Sequence, residues 1–166
     1  MSDATARFAL PLIAPGQAQK ELFHNEALAR IDALLQAAVV AVSVDDPPVA
    51  PVAGQCWIVG DAPTGAWAGQ PRSLAVWTEG GWRMIAPAAG MIAWSAADGV
   101  FARFDGVAWS RGDLVARRLL VGGVPVVGVQ QPQISAPSGG ATVDAEARSA
   151  LAEILAALRA HGLIAA

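Results

Sequence analysis

Apolar positions along the chain fall into three zones of different period. In the first, from Gln17 to about Val44, Leu28, Ile31, Leu35, Ala38 and Val42 recur with steps of three, four, three and four, the spacing of a coiled-coil seam. Leu22, Phe23, Leu34 and Val39 widen that face, so the predicted helix needs neighbours on more than one side. Ahead of it, Phe8-Ala9-Leu10-Pro11-Leu12-Ile13-Ala14-Pro15-Gly16 reads as an extended arm, because its prolines and glycine forbid a regular helix. Asp45-Asp46-Pro47-Pro48-Val49-Ala50-Pro51 ends the zone as a stiff linker.

The second zone alternates short apolar stretches with turn signals. Cys56 to Val59, Leu74 to Trp77, Trp82 to Ile85, Met91 to Trp94 and Val100 to Phe104 are predicted strands. Between them Glu79-Gly80-Gly81, Asp98-Gly99 and Asp105-Gly106 supply the positive φ of tight hairpins. A weak repeat sets Trp77 and Trp82, then Phe104 and Trp109, five residues apart around a turn, where each pair can meet across a hairpin. Leu119-Leu120-Val121 and Val124 to Val127 predict a further hairpin turning at Gly122-Gly123.

After a linker at Gln130 to Gly140, the third zone is a capped helix. Thr142 or Asp144 starts it, Glu146 suits its positive end, and Arg159 and His161 suit its negative end. Leu151, Ile154, Leu155 and Leu158 form one apolar stripe, and Gly162 is placed to end the helix with Leu163 folding back on Leu158. The expected fold class is α+β: an N-terminal arm and amphipathic helix over residues 1–44, a small Trp-rich antiparallel β-domain of hairpins over 52–128, and a linker with C-terminal helix over 129–166.

Composition turns this layout toward assembly. Apolar residues make up 54% of the chain and charged residues only 15%, against about 25% in ordinary soluble domains. A monomer with so few charges exposes apolar surface, so contact with copies of itself or other subunits is expected. The two helical stripes, Leu28, Ile31, Leu35, Ala38, Val42 and Leu151, Ile154, Leu155, Leu158, are the candidate oligomer interface, with a trimer preferred and a pentamer as the alternative. No apolar run approaches the roughly 20 residues of a membrane span, so membrane insertion is not expected. Met1-Ser2-Asp3-Ala4-Thr5 lacks the start of a secretory signal, which predicts cytosolic synthesis. The net charge is −3 and the arginines are scattered, which argues against nucleic acid as a partner.

Catalytic chemistry is not expected. His24 and His161 stand without acidic neighbours at metal spacing, the single Cys56 lies in an apolar run, and no phosphate-binding loop is present, so no metal, cofactor or catalytic residue is assigned. Asp61, Glu79, Asp98, Asp105 and Asp113 adjoin glycines or prolines and read as turn residues; a glycosidase carboxylate pair among them is the third-ranked reading. Six tryptophans stand beside no tyrosine. Trp57, Trp77, Trp82 and Trp94 are expected in the core, while Trp67, in a Gly- and Ala-rich loop, and Trp109 are the candidates to stack on a sugar.

The string Leu10-Pro11-Leu12-Ile13-Ala14-Pro15-Gly16-Gln17-Ala18-Gln19-Lys20-Glu21-Leu22-Phe23-His24-Asn25-Glu26-Ala27-Leu28 resembles the opening of a domain family of unknown function found in alphaproteobacterial prophages and gene transfer agents. The resemblance continues through Gly54 to Val59, Thr64 to Gly69, Trp77 to Trp82 and Phe104 to Trp109. It implies a virion component of a phage-like particle, near the fibres or head spikes that adsorb to the host, assembled in the bacterial cytoplasm and released with the particle. Other capsid, spike or fibre proteins and host surface polysaccharide are the partners it implies. No catalytic residues carry over. Gln17 to Lys20 and His24-Asn25-Glu26 are expected to lock the first helix against the β-domain or a neighbouring subunit. The alternative reading is a carbohydrate-binding module for capsular or surface polysaccharide.

Overall fold

The computed structural model describes residues 4–14, 16 and 20–165. They fall into two compact units, Met1–Asp113 and Leu114–Ala166. The arm and first helix belong to the same unit as the Trp-rich sheets, whereas the hairpin at Gly122-Gly123 belongs to the second.

In the first unit, helix α1 spans Lys20–Leu34 and is followed at once by strands β1 (Ala38–Val39) and β2 (Val42–Val44). This corrects the predicted helix to Val44: Ala38 and Val42 are strand residues, and the seam from Leu28 to Val42 is not one helical stripe. Helical and strand periods are both compatible with a short apolar run. The β-branched Val39-Val40-Ala41-Val42-Ser43-Val44 resolves it as strand, with Gln36 at φ 46° ending the helical stretch. The expected start at Gln17 and the adjoining Pro15, Ala18 and Gln19 lie outside the described residues.

The segment from Ala38 to Val44 passes from one four-stranded sheet to another. Strand β1 pairs in parallel with β6 (Ile92–Ser95), which is antiparallel to β7 (Val100–Phe104) and through it to β8 (Trp109–Arg111). Strand β2 pairs in parallel with β3 (Cys56–Val59), followed antiparallel by β4 (Leu74–Thr78) and β5 (Gly81–Ile85). The α+β class and its hairpins are therefore as the sequence predicts, with two parallel pairings added.

One core lies between the sheets, where Val39, Val42, Cys56, Ile58, Leu74 and Val76 meet Ala93 and Ala102. Strand β3 is buried along its whole length. Its alternate residues Trp57 and Val59 face a second core with Ala75 and Trp67, which the short 3-10 turn Gly65–Trp67 brings over the sheet. The second sheet is thus covered on both faces.

In the second unit, β9 (Leu119–Val121) and β10 (Val124–Val127) form the predicted hairpin, with Gly122 and Gly123 both at positive φ. Helix α2 spans Ala145–Ala160; the Asp144 carboxylate accepts the Ala147 N–H at 2.8 Å and caps it. At its other end Gly162, at φ 68°, lets the Leu163 N–H reach the Leu158 carbonyl at 2.9 Å, the expected ending.

Candidate functional site

The charged and amide residues of α1 hold the arm. Asn25 accepts the Ile13 N–H at 2.9 Å and donates to the Ile13 carbonyl at 3.1 Å. Two turns further on, the buried Asp32 carboxylate accepts from Thr5 Oγ1 and from the N–H groups of Arg7 and Phe8 at 2.7–2.9 Å. Arg7 in turn donates to the carbonyls of Asp32, Ala33 and Gln36 at the helix end. Glu26 ties the helix to the sheet by accepting from Arg83 Nε at 2.7 Å, and to its own face by accepting from Arg30 at 3.2 Å. Burial alone would raise the Glu26 carboxyl, but the hydrogen bonds and charges of the two arginines outweigh it and hold it below the ordinary range. Asn25 and Glu26 thus lock the first helix against the arm and the β-domain, as expected for that string; the His24 ring lies 3.0 Å from the Lys20 carbonyl.

A cleft of about 220 Å³ lies among the arm, α1 and the β4–β5 turn. The polar atoms of Asn25 and Asp32 on its wall are already taken by the arm, which leaves the cleft little to recognise a ligand with.

The tryptophans divide differently from expectation. Trp67 is 0% exposed, packed at ring-centroid distances of 6.3 Å from Trp57 and 5.0 Å from Trp82. The reading of Trp67 as a sugar platform is therefore corrected: its few apolar sequence neighbours are replaced by Trp57 and Trp82, distant in the chain. Trp109 is half-buried, donates its indole N–H to the Arg72 carbonyl at 2.8 Å and tilts against Phe104 at 5.4 Å. The predicted hairpin pairs both form, Trp77 opposite Trp82 and Phe104 opposite Trp109.

Trp94, expected in the core, is 40% exposed. It sits directly across from Phe101, itself 58% exposed, with ring centroids 5.1 Å apart and planes at 76°. Their inward-facing neighbours Ala93 and Ala102 are small and take the core side instead. Ile92 and Arg103 pair next to them on the same outer face, and Gln36 borders it. Sequence reasoning missed this site; the cue was alternation along Ile92-Ala93-Trp94-Ser95, which puts a buried serine opposite the tryptophan face.

Of the residues predicted for the first interface stripe, Ile31 on α1 and Leu35 just after it are exposed and Leu28 is half-buried, whereas Ala38 and Val42 lie in the strands, half-buried and buried. On α2, Leu151 and Ile154 are exposed, Leu158 is half-buried and Leu155 is buried.

The turn acids are engaged locally. Asp105 accepts the N–H groups of Val107 and Ala108, which lower its carboxyl, Asp61 pairs with Arg72, and Asp98 takes the Ser95 hydroxyl. Among the described residues no cluster of His, Cys, Asp or Glu could hold a metal ion, and no helix is long and apolar enough to cross a membrane. Cys56 is buried, which pushes its thiol up to about 11.

No curated protein matches the chain. The model of the family described as "Protein of unknown function (DUF2793)" matches residues 24–110, from the second turn of α1 into β8, and with more than half of its 166 residues so matched the chain belongs to the DUF2793 family.

Proposed function

We propose that this protein is a non-enzymatic structural subunit of a phage-like particle, part of the spike or fibre apparatus by which the particle adsorbs to its host. The observation that carries the assembly part is the second unit: every residue of β9 and β10 is exposed, although the strands read Leu-Leu-Val and Val-Pro-Val-Val. A two-stranded hairpin is marginal by itself in water, and an apolar one presents an edge and faces that require cover. Leu151 and Ile154 on α2, Leu22, Phe23 and Ile31 on α1, and Leu35 just after it, extend the uncovered apolar surface. A homo-oligomer meets that need, by preference a trimer, with a pentamer fitting a fivefold vertex. The particle context rests on the resemblance of the Leu10 to Leu28 string to prophage and gene transfer agent proteins. Light scattering on the full chain tests the assembly part: a discrete multimer is expected, and a monomer at all concentrations would overturn it.

The second reading, recognition of surface polysaccharide, keeps support from Trp94 and Phe101 rather than from Trp67.

A further inference from the structure

Only one of the two edges of the β9–β10 hairpin is blunted. Gly122 and Gly123, both at positive φ, make a two-residue turn, so Val121 and Val124 beside it form the hydrogen-bonded pair. The next pair, Leu120 opposite Pro125, is then the non-hydrogen-bonded one, whose backbone groups point away from the partner strand. On β10 that outward position is a proline, which has no N–H to offer. The register also slips between Pro125 and Val127, and a bulge there breaks the regular spacing of the edge. Proline and bulge are both devices by which a strand refuses further pairing.

Strand β9 carries neither. It reads Leu-Leu-Val, all exposed, and Leu120 turns both its N–H and its C=O outward. Among the described residues no third strand pairs with it. An open apolar edge of this kind takes a strand from another chain.

We propose that β9 pairs antiparallel with β9 of a second copy, the two Leu120 residues directly opposite each other. The asymmetry of the hairpin's edges selects this occupant. Two hairpins joined in this way form a four-stranded sheet, β10–β9–β9–β10, with Pro125 on both rims, so pairing ends at two copies. A foreign strand on β9 would instead leave a fresh edge on its far side. Across the two-fold axis each Leu120 donates one hydrogen bond and accepts another. The same register sets Arg118 of each copy opposite Gly122 of the other, so like charges do not meet. This contact deepens the assembly part of the reading above and rests on it. Being two-fold, it joins one ring to a second where copies are arranged three- or fivefold, and the number of copies is even.

Light scattering on the full chain and on variants at Leu120 tests the contact. The mass should correspond to an even number of copies. Leu120→Pro gives β9 the block that Pro125 gives β10, at a position through which the hairpin itself does not bond, and should halve the mass. Leu120→Lys and Leu120→Glu each set like charges opposite one another and should halve it too, whereas an equimolar mixture of the two should restore it. This charged pair decides the matter if Leu120→Pro loses its far-UV circular dichroism. An odd-numbered multimer, an even one whose mass none of these variants lowers, or a mixture that stays at half mass defeats the β9 contact and leaves the assembly reading standing. A monomer at all concentrations overturns both.

Discussion

A single amide side chain satisfies both backbone groups of a residue far from it in sequence: Asn25 Oδ1 accepts the Ile13 N–H at 2.9 Å, and Asn25 Nδ2 donates to the Ile13 carbonyl at 3.1 Å. Beyond one bridge between Ala4 and Pro11, the described residues of the arm join no sheet, so this clamp and the Asp32 bonds supply pairings that a strand neighbour would otherwise make.

Removing the clamp should loosen the arm. Asn25→Ala leaves both Ile13 groups without a protein partner and is expected to cost about 1–3 kcal/mol. Asn25→Asp keeps the acceptor but not the donor and should fall between the two. Urea titrations of the three proteins read the order; equal midpoints would mean that the arm is held by other contacts.

Trp67 and Trp94 should respond oppositely to truncation. Trp67→Ala empties a fully buried position against Trp57 and Trp82 and is expected to cost about 3–5 kcal/mol. Trp94→Ala removes a side chain that is 40% exposed and should cost much less. Thermal melts decide, and a larger loss at Trp94 would contradict the placement of the two rings.

Acid should weaken the tie between helix and sheet. The Glu26 carboxyl is held below its ordinary 4.5, so its contribution is complete above that pH and is lost as pH falls through the lower, folded value. Because the pair is about a third exposed, the effect is discounted to roughly 1 kcal/mol or less and shrinks with salt. Glu26→Gln should flatten this part of the stability–pH curve; an unchanged slope in the variant would show that Arg83 and Glu26 are not coupled.

Cys56 should be silent in the folded chain. Burial first, with the nearby Asp32 adding and Arg7 opposing, pushes its thiol to about 11. The folded state therefore favours the neutral thiol, and stability should fall as pH rises from about 9, where the unfolded thiol ionises, toward 11. Iodoacetamide at pH 8 is expected to label the chain only in denaturant, as read by mass spectrometry. Rapid labelling of the native protein would place Cys56 at the surface.

Local chemistry made much of this molecule readable. Hairpins at Glu79-Gly80-Gly81, Asp105-Gly106 and Gly122-Gly123, the paired aromatics beside two of them, and the Asp144 and Gly162 ends of α2 all depend on residues within a few positions of each other. The Asn25 and Glu26 locks were legible only as a string with an unassigned role, because their partners Ile13 and Arg83 lie 12 and 57 residues away.

By itself the sequence determined the periods, the turns and the caps, since those follow from side-chain branching, glycine and hydrogen bonds within a single turn of chain. Only the tertiary structure decided that Ala38 to Val44 leaves the helix for two sheets, and that Trp67 is roofed over while Trp94 is left bare. Burial is a property of a face and of whatever packs on it. An indole in a glycine-rich loop and an indole in an apolar strand exchange their expected fates once the loop folds over one sheet while, among the described residues, Trp94 on the other stays partly exposed.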